Sequence, residues 1–295
     1  MREFIERFSI KVESITPKER VLMAIRHQKT DRFPRGELLV EEVFLDRLYP
    51  ERAHEPYIEK MQHLVRQFGL DLITVNIDDE KAVKELSRWK VETSCFVMAL
   101  VDGLFWNSKD PIPLQEFILG ISQGEERIQQ LIRNKKIRAL RLIQSCLDAG
   151  ADGIIIGDDL AYNRGPFVSP EDLRKWVFPG LQEMVEAIKI GNGVAFLHSC
   201  GNLTRIMGLI IKSGFDGLHG LALSAGNDPL TIKQMTGKRL ALMGIFELDS
   251  LKPDEIEAIK EEILPSLAAE GGYILGSAEG LSMNTPLDSF RALYS

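Results

Sequence analysis

Residues 193–202 read GVAFLHSCGN. The segment 193–198 is a short apolar run, without the alternation of polar and apolar side chains that marks a strand with one face in water. Strands that are buried on both faces, as in a parallel sheet covered by helices, have this pattern. The run therefore predicts a buried strand of an α/β fold, with His198 at its carboxyl end.

Similar runs recur along the chain, and a longer amphipathic stretch follows each of them. They predict eight strands, over 34–40, 71–77, 95–101, 152–157, 193–198, 216–221, 239–245 and 272–277. Eight strands that alternate with helices favour a (β/α)8 TIM barrel, although a doubly wound open sheet is built from the same elements. We expect a single barrel domain over residues 1–295, in which residues 1–30 form an extra N-terminal helical extension.

Three short motifs predict where helices begin. Each has a hydroxyl residue that can cap the helix, a proline at the first helical position and a carboxylate three residues after the cap. They are Thr16-Pro17-Lys18-Glu19, Ser169-Pro170-Glu171-Asp172 and Thr285-Pro286-Leu287-Asp288. We therefore expect helices from about residues 17, 170 and 286, the first covering the bottom or the side of the barrel.

The segment 102–123 is predicted to form a long loop or lid with a short helix in it. It combines two glycines and two prolines with a pair of aromatic side chains, at Gly103, Phe105, Trp106, Pro111, Pro113 and Gly120. Glycine and proline punctuate regular structure, so a continuous long helix is not expected there.

The composition favours a cytoplasmic protein without a nucleic-acid or membrane partner. The 295 residues are 44% hydrophobic and carry a formal net charge of −7, which argues against binding to such anionic surfaces, because that binding requires clustered Lys and Arg. Three cysteines, Cys95, Cys146 and Cys200, are too few for a disulfide framework and indicate a reducing compartment. The charged N-terminus does not resemble a signal peptide, and the apolar runs are shorter than the ~20 residues of a membrane helix.

The working groups of such a barrel lie where the strands end, and His198 and Cys200 lie at one of these ends. Residues two apart in extended chain can point the same way, and an imidazole with a thiolate suits Zn²⁺. On the spacing alone, a buried cysteine beside a hydrogen-bonded histidine, without a metal, is an equally good interpretation. A zinc site needs a third protein ligand, and Glu279, just after the last strand, is the best remaining donor, unless it is simply a solvated loop charge.

Other polar residues near strand ends are candidates for catalysis or binding. Asp158 and Asp159 follow the strand 152–157 and are predicted to take part in catalysis, unless they only cap loop N–H groups. Glu37 stands inside an apolar strand, where an acid is costly unless it is paired or functional, so it is predicted to be catalytic. Substrate contacts are expected from Asn76, Tyr162, His219 and Glu247.

With these residues in view, the chain resembles the uroporphyrinogen decarboxylase superfamily along nearly its whole length. The segments that carry the resemblance are TPKERVLMAIRHQKTDRFPRGE at 16–37, DGIIIGDDLAYNRGPFVSPEDLRKWVFPGLQEMVEAIK at 152–189, FLHSCGNLTRIMGLIIKSGFDGL at 196–218 and GGYILGSAEGLSMNTPLDSFRAL at 271–293. The third of them is similar to the most specific block of the corrinoid-dependent methyltransferase branch.

The resemblance implies a zinc-dependent methyltransferase that moves a methyl group between a small donor or acceptor and a corrinoid protein. In that branch a cysteine usually completes the zinc site, and its position falls at or next to Glu279. Decarboxylases of the superfamily carry an Arg-Gln-Ala-Gly-Arg segment on the first strand, where this chain has Arg35-Gly36-Glu37-Leu38-Leu39. An acid at that place is expected to repel the carboxylates of a porphyrinogen.

Two other functions stay open. One is a decarboxylase that acts on a porphyrinogen or another acid without a metal. The other is a barrel without enzymatic activity that binds a tetrapyrrole or a corrinoid protein. The corrinoid is expected on a separate partner protein, since no part of the sequence resembles a corrinoid-binding module, and a homodimer is possible.

Overall fold

A computed structural model describes residues 15–295, so part of the predicted extension, residues 1–14, lies outside the described residues. A parallel sheet of seven strands forms its centre. In the order in which they pair, its strands are β1 (Leu72–Asn76), β2 (Phe96–Asp102), β3 (Gly153–Gly157), β6 (Val194–His198), β7 (Gly217–His219), β8 (Ala241–Met243) and β9 (Tyr273–Ile274). Two further strands, β4 (Ala161–Tyr162) and β5 (Gly165–Pro166), pair as a small antiparallel hairpin after β3. The sheet follows the order of the chain without a reversal, unlike a doubly wound sheet.

The residues before β1 connect the two edges of this sheet. Arg35 forms a parallel bridge to Leu275, beside β9, and Gly36 forms one to Leu72 in β1. A side chain could not replace the hydrogen of Gly36, because a Cβ atom there would lie 2.8 Å from Cβ of Leu72. The sheet is thus curled, consistent with a TIM-like fold, and the strand predicted over 34–40 is reduced to single bridges, the last of them from Val40 to Leu281.

Helices pack around the sheet. In the part of the chain that the structure describes they are α1 (Pro17–Ile25), α2 (Glu42–Leu48), α3 (Tyr57–Phe68), α4 (Glu80–Glu92), α5 (Leu114–Gln123), α6 (Glu126–Asp148), α7 (Pro170–Trp176), α8 (Phe178–Ile190), α9 (Met207–Lys212), α10 (Pro229–Thr236), α11 (Pro253–Glu262), α12 (Leu264–Ala268) and α13 (Leu287–Tyr294). None of these helices is both long enough and apolar enough to cross a membrane.

Two of the three predicted helix starts have the expected caps. Thr16 and Glu19 form a reciprocal capping box at α1, and the hydroxyl of Ser169 accepts the N–H of Asp172 at α7. The prediction for 285–288 was wrong in detail, because α13 begins at Leu287 without a side-chain cap. Its expected cap, Thr285, donates to Asp249 over 2.9 Å instead, so that hydroxyl fixes a loop at another strand end.

Helix α1 covers the bottom of the curled sheet. Its Val21 and Ala24 pack with the inward-facing side chains of the strands, among them Phe96 and Phe196. Beside it, the fully buried carboxylate of Asp71 accepts hydrogen bonds of 2.6 Å from the guanidinium groups of Arg20 and Arg32. This end of the molecule is therefore closed by apolar packing and ion pairs, and the opposite end is left for the site.

Candidate active site

His198 ends β6 with its ring between two partners. Parallel pairing sets it beside Gly157 of β3 and His219 of β7. Its Nδ1 lies 2.8 Å from Nδ1 of His219, and its Nε2 lies 3.7 Å from Sγ of Cys200. The two residues of the HxC motif thus come together at the carboxyl end of the sheet.

The hydrogen bonds of this pair fix which imidazole nitrogen is free. Nε2 of His219 lies 3.1 Å from the carbonyl oxygen of Ser277, which can only accept, so Nε2 donates. Burial lowers the pKa of His198 and of His219, which keeps both rings neutral. A neutral His219 then accepts at Nδ1 the proton of Nδ1 of His198. The lone pair of His198 is left on Nε2, facing the Cys200 thiol, as a metal ligand requires.

Asp159 is the third residue at this point. Its Oδ1 accepts the backbone N–H of Cys200 over 2.8 Å. Donor atoms of Asp159, His198 and Cys200 all lie within 4.8 Å of one another, the one such group found among residues 15–295. Burial, followed by the carboxylates of Asp159 and Glu279, raises the pKa of the Cys200 thiol to about 12. A divalent cation would reverse this effect by stabilising the thiolate.

Glu279 is close to this group but does not belong to it. Its side chain is exposed, and it lines the same cavity as His198. Burial raises its pKa, and the carboxylates of Asp249, Glu247 and Asp159 raise it further. Its service as a third metal ligand stays a prediction.

Glu37 lies behind the site rather than in it. It is 2% exposed and accepts hydrogen bonds from the Tyr294 hydroxyl over 2.5 Å and from the hydroxyl and the N–H of Ser277. Burial raises the pKa of this carboxyl to about 7. The expectation that Glu37 repels substrate carboxylates was wrong, because its side chain faces Ser277 and Tyr294 and does not line the cavity.

Asp158 holds the start of the lid. It is 3% exposed and accepts the N–H groups of Leu104 over 3.0 Å and Phe105 over 2.7 Å. Gly103 fits beside it only because it lacks a side chain, since a Cβ atom there would lie 2.3 Å from Cγ of Asp158. The sequence left open whether Asp158 only caps loop N–H groups, and the structure shows this capping contact. Burial raises the pKa of Asp158 to about 6.

A cavity of about 460 Å³ opens above these residues. The predicted lid, residues 102–123, contributes a loop and helix α5 to its wall. The lining residues are Leu38, Leu39, Leu100, Asp102, Phe105, Trp106, Asn107, Ser108, Leu114, Gly157, Asp158, Asp159, Phe167, His198 and Glu279.

The four predicted substrate contacts lie in four different surroundings. Tyr162 is exposed on the β4–β5 hairpin, and its ring stacks on Phe167 with centroids 5.4 Å apart. His219 is fully buried beneath His198. Glu247 accepts the N–H of Ser224 over 2.8 Å. Asn76 lines a separate cavity, between β1, α3 and α4, so the structure does not bring it to His198.

Three residues of the site were not predicted. Ser277 joins His219 to Glu37, Tyr294 fixes Glu37, and Phe167 forms a wall of the cavity. Ser277 and Tyr294 lie 79 and 96 positions after His198, so only the curled sheet brings them together. The acid Glu37 in an apolar strand was the single sequence signal that a buried polar partner had to exist.

Comparison with known proteins now assigns the chain to a family. Residues 121–295 match the sequence model of the family described as Uroporphyrinogen decarboxylase (URO-D), and the chain belongs to this family. A similar curated protein is the "Methylcobamide:CoM methyltransferase MtaA" of Methanosarcina barkeri, 28% identical over 215 residues, which are 72% of this chain and 60% of that protein. The "Methylated-thiol--coenzyme M methyltransferase" of Methanosarcina mazei is 25% identical over 144 residues, 48% of this chain and 36% of that protein.

The fold has a solved counterpart. A methyltransferase from Methanosarcina mazei superposes with a TM-score of 0.74 at 20% sequence identity, covering 95% of this chain and 97% of that chain. This likeness supports the TIM-like architecture. The chain spans about 60% of the length of the curated MtaA relatives that it matches.

Proposed function

We propose that this chain is a methyltransferase that moves a methyl group between a corrinoid carried by a separate protein and a small molecule, at a zinc site built on His198 and Cys200. The observation that carries the proposal is the free Nε2 of His198, which faces the Cys200 thiol at 3.7 Å at the edge of the cavity. The names of the MtaA relatives support the reaction class.

The donor set fits zinc in its chemistry. A neutral imidazole, a thiol and a carboxylate are the three donor types that protein zinc sites use. Zinc, when bound, acts as a Lewis acid that lowers the pKa of a bound thiol or polarises an oxygen that carries the methyl group. The open end of the sheet, where the cavity lies, would receive the corrinoid.

The protein's own residues orient this set. His219 holds the ring of His198 and fixes its tautomer through the Ser277 carbonyl. Glu37 in turn fixes Ser277, so we propose that Glu37 and His219 are positioning residues. Asp158 fixes the start of the lid by accepting the N–H groups of Leu104 and Phe105.

The third ligand is either Asp159 or Glu279. The geometry favours Asp159, whose carboxylate lies within 4.8 Å of the donor atoms of both His198 and Cys200. The resemblance of the sequence to the methyltransferase branch favours Glu279. Zinc affinities of Asp159→Asn and Glu279→Gln, measured by competition with a chromophoric chelator, separate the two, because only loss of a ligand should weaken binding by an order of magnitude or more.

The test of the proposal is metal content together with methyl transfer. We expect about one zinc per chain after purification without chelators, and loss of both zinc and methyl transfer in His198→Ala and Cys200→Ser. Cys95→Ser is the matched control, because that thiol donates to the carbonyl of Leu70 at the other end of the sheet and a hydroxyl can do the same. Well under one zinc per chain, or full methyl transfer in His198→Ala, would reject the proposal.

The decarboxylase alternative gains no support from the cavity. A porphyrinogen bears many carboxylates, whereas the lining of this cavity includes four carboxyl groups and, among residues 15–295, neither Lys nor Arg. Release of CO₂ from uroporphyrinogen by the purified protein would establish the alternative.

A further inference from the structure

A second cavity, which we call the side cavity, lies at the edge of β1, between this strand and helices α3 and α4. Its volume is about 480 Å³, close to that of the cavity at His198. Three successive residues of β1, Thr74, Val75 and Asn76, line it. Successive side chains of a strand point to opposite faces of the sheet. A cavity that touches all three therefore lies beside the edge of the strand and reaches both faces.

The side cavity exists because the chain before β1 turns away from this strand. Among residues 15–295, the segment 36–40 forms a backbone bridge to β1 only at Gly36, and its next bridge, from Val40, goes to Leu281 on the other side. The N–H of Leu281 donates to the carbonyl of Leu39 over 2.8 Å, which holds the segment away from β1. The wall of the curled sheet thus has a gap where this segment and β1 separate.

Leu39 separates the side cavity from the cavity at His198. It lines both of them, and its side chain is partly buried. Nearer the closed end of the sheet the wall is intact, because the hydroxyl of Thr74 donates to the carbonyl of Glu37 over 3.1 Å. A leucine side chain can turn from one rotamer to another without a change of the backbone. Rotation of Leu39 would therefore join the two cavities.

The walls of the side cavity are suited to an uncharged molecule. Most of the lining residues are apolar, among them Ile58, Met61 and Trp89. Its two charged lining residues, Glu85 and Arg88, have opposite signs and are exposed on α4. An apolar wall does not compensate an ion for the water that it loses, whereas it accepts an alkyl or aryl group.

We propose that the side cavity is the entry for the small molecule of the reaction, an uncharged thiol, alcohol or methyl ether that passes Leu39 to reach His198 and Cys200. The inference rests on the proposed function, in which the open end of the sheet receives the corrinoid. A corrinoid protein seated there closes the direct opening of the site. An entry through the wall lets the small molecule bind and leave while the partner stays in place.

Binding of an uncharged probe tests the side cavity. Benzyl alcohol and the anionic benzoate have similar shapes and differ in charge. Calorimetric titration of the whole protein should show benzyl alcohol binding about tenfold more tightly than benzoate, or more. Equal binding of the two probes, or tighter binding of benzoate, would overturn the inference.

Variants locate this binding. Val75→Trp and Ala82→Leu fill the side cavity from two of its walls and should weaken the binding of benzyl alcohol by about tenfold or more, because they take up the space of the ring. The circular dichroism spectrum should not change. The control Ile190→Trp adds the same bulk at the end of α8, where the side chain is 77% exposed, and should have no effect. Unchanged binding in both filled variants would place the probe elsewhere and reject the inference.

The order of binding tests the route. Free methylcobalamin stands in for the corrinoid protein, and transfer of its methyl group to benzyl mercaptan by the zinc-loaded protein is followed by absorbance. Excess methylcobalamin should not inhibit the wild type, because the thiol enters from the side. Leu39→Phe narrows the junction and should lower kcat/KM for the thiol about fivefold or more at saturating methylcobalamin. In this variant excess methylcobalamin should inhibit, and more thiol should relieve the inhibition.

The outcomes keep this inference apart from the proposed function. Val75 lies outside the cavity at His198, so Val75→Trp should reproduce the kinetic effect of Leu39→Phe with the zinc content unchanged. Inhibition of the wild type by excess methylcobalamin, or wild-type kinetics in both variants, rejects the inference and leaves the proposed function standing. No transfer to the thiol, with benzyl alcohol still bound in the side cavity, counts against the proposed function and leaves the cavity as a binding site.

Discussion

Replacement of Glu37 by Gln should change how the stability of the protein depends on pH. The carboxyl is enclosed by Ser277 and Tyr294, and burial raises its pKa from 4.5 to about 7. One unit of pKa corresponds to about 1.4 kcal/mol, so ionising this group in the folded state costs about 3 kcal/mol. A glutamine has no proton to lose and is free of this cost.

The direction of this pH dependence follows from which state of the chain, folded or unfolded, holds the proton of Glu37. Below pH 4.5 the carboxyl is protonated in both the folded and the unfolded chain. Between pH 4.5 and about 7 the unfolded chain has lost the proton and the folded chain keeps it, so the free energy of unfolding falls as the pH rises. Above pH 7 both states are ionised, and the contribution of the raised pKa is gone.

Urea unfolding of the wild type and of Glu37→Gln from pH 5 to pH 8, both with a chelator present, measures this effect. The wild type should lose roughly 2.5 kcal/mol of stability relative to the variant across this range. Other titrating groups are common to both proteins and cancel in the difference. Glu59→Gln, at an exposed position of α3, is the control and should run parallel to the wild type. A difference between Glu37→Gln and the wild type that stays constant with pH would refute the reasoning.

Three more substitutions test the support of His198, the closed end of the sheet and the start of the lid. His219→Asn removes the partner that fixes the tautomer of His198, so it should weaken zinc binding by about 10- to 100-fold, as measured by chelator competition. The circular dichroism spectrum should not change. An unaltered zinc affinity would contradict the positioning role of His219. Asp71→Asn leaves the guanidinium groups of Arg20 and Arg32 without their buried carboxylate and should lower the free energy of unfolding in urea by about 3 kcal/mol. A loss below about 1 kcal/mol would count against a structural role of these ion pairs. Gly103→Ala places a Cβ atom 2.3 Å from Cγ of Asp158 and should lower the free energy of unfolding by about 1–3 kcal/mol. The control Gly208→Ala, in helix α9 with nothing within 4 Å of the added Cβ, should be neutral or stabilising. Equal effects of the two substitutions would argue against a tight lid contact.

The apolar runs predicted the strands well because strands that are buried on both faces consist almost entirely of apolar residues. Seven of the eight predicted strands are present. Six of them are shorter than predicted, and the strand predicted over 95–101 is shifted by one residue to Phe96–Asp102. The prediction for 34–40 was only partly right, since the pairing of this segment is reduced to single bridges at Arg35, Gly36 and Val40. Glu37 binds Ser277 at this point, and no local pattern in the sequence shows such a long-range contact.

The site was predictable in its motif and not in its supporting contacts. Cys200 follows His198 by two residues, just after β6 ends, so their meeting follows from local geometry. Asp159 was predicted to be catalytic, and its position beside the Cys200 N–H depends on the pairing of β3 with β6. His219 was expected to contact substrate, but its ring faces His198 because neighbouring strands in register point their side chains in the same direction.

The contact between Glu37 and Ser277 sets an order of events during synthesis. The ribosome delivers Glu37 early, whereas Ser277 and the Tyr294 of α13 emerge some 240 and 257 residues later. Until they arrive, the ring of His219 has no carbonyl to fix its proton, and His198 has no defined free nitrogen. The arrangement that leaves Nε2 of His198 free therefore depends on a residue synthesised 79 positions later, and a growing chain lacks it until Ser277 has been added.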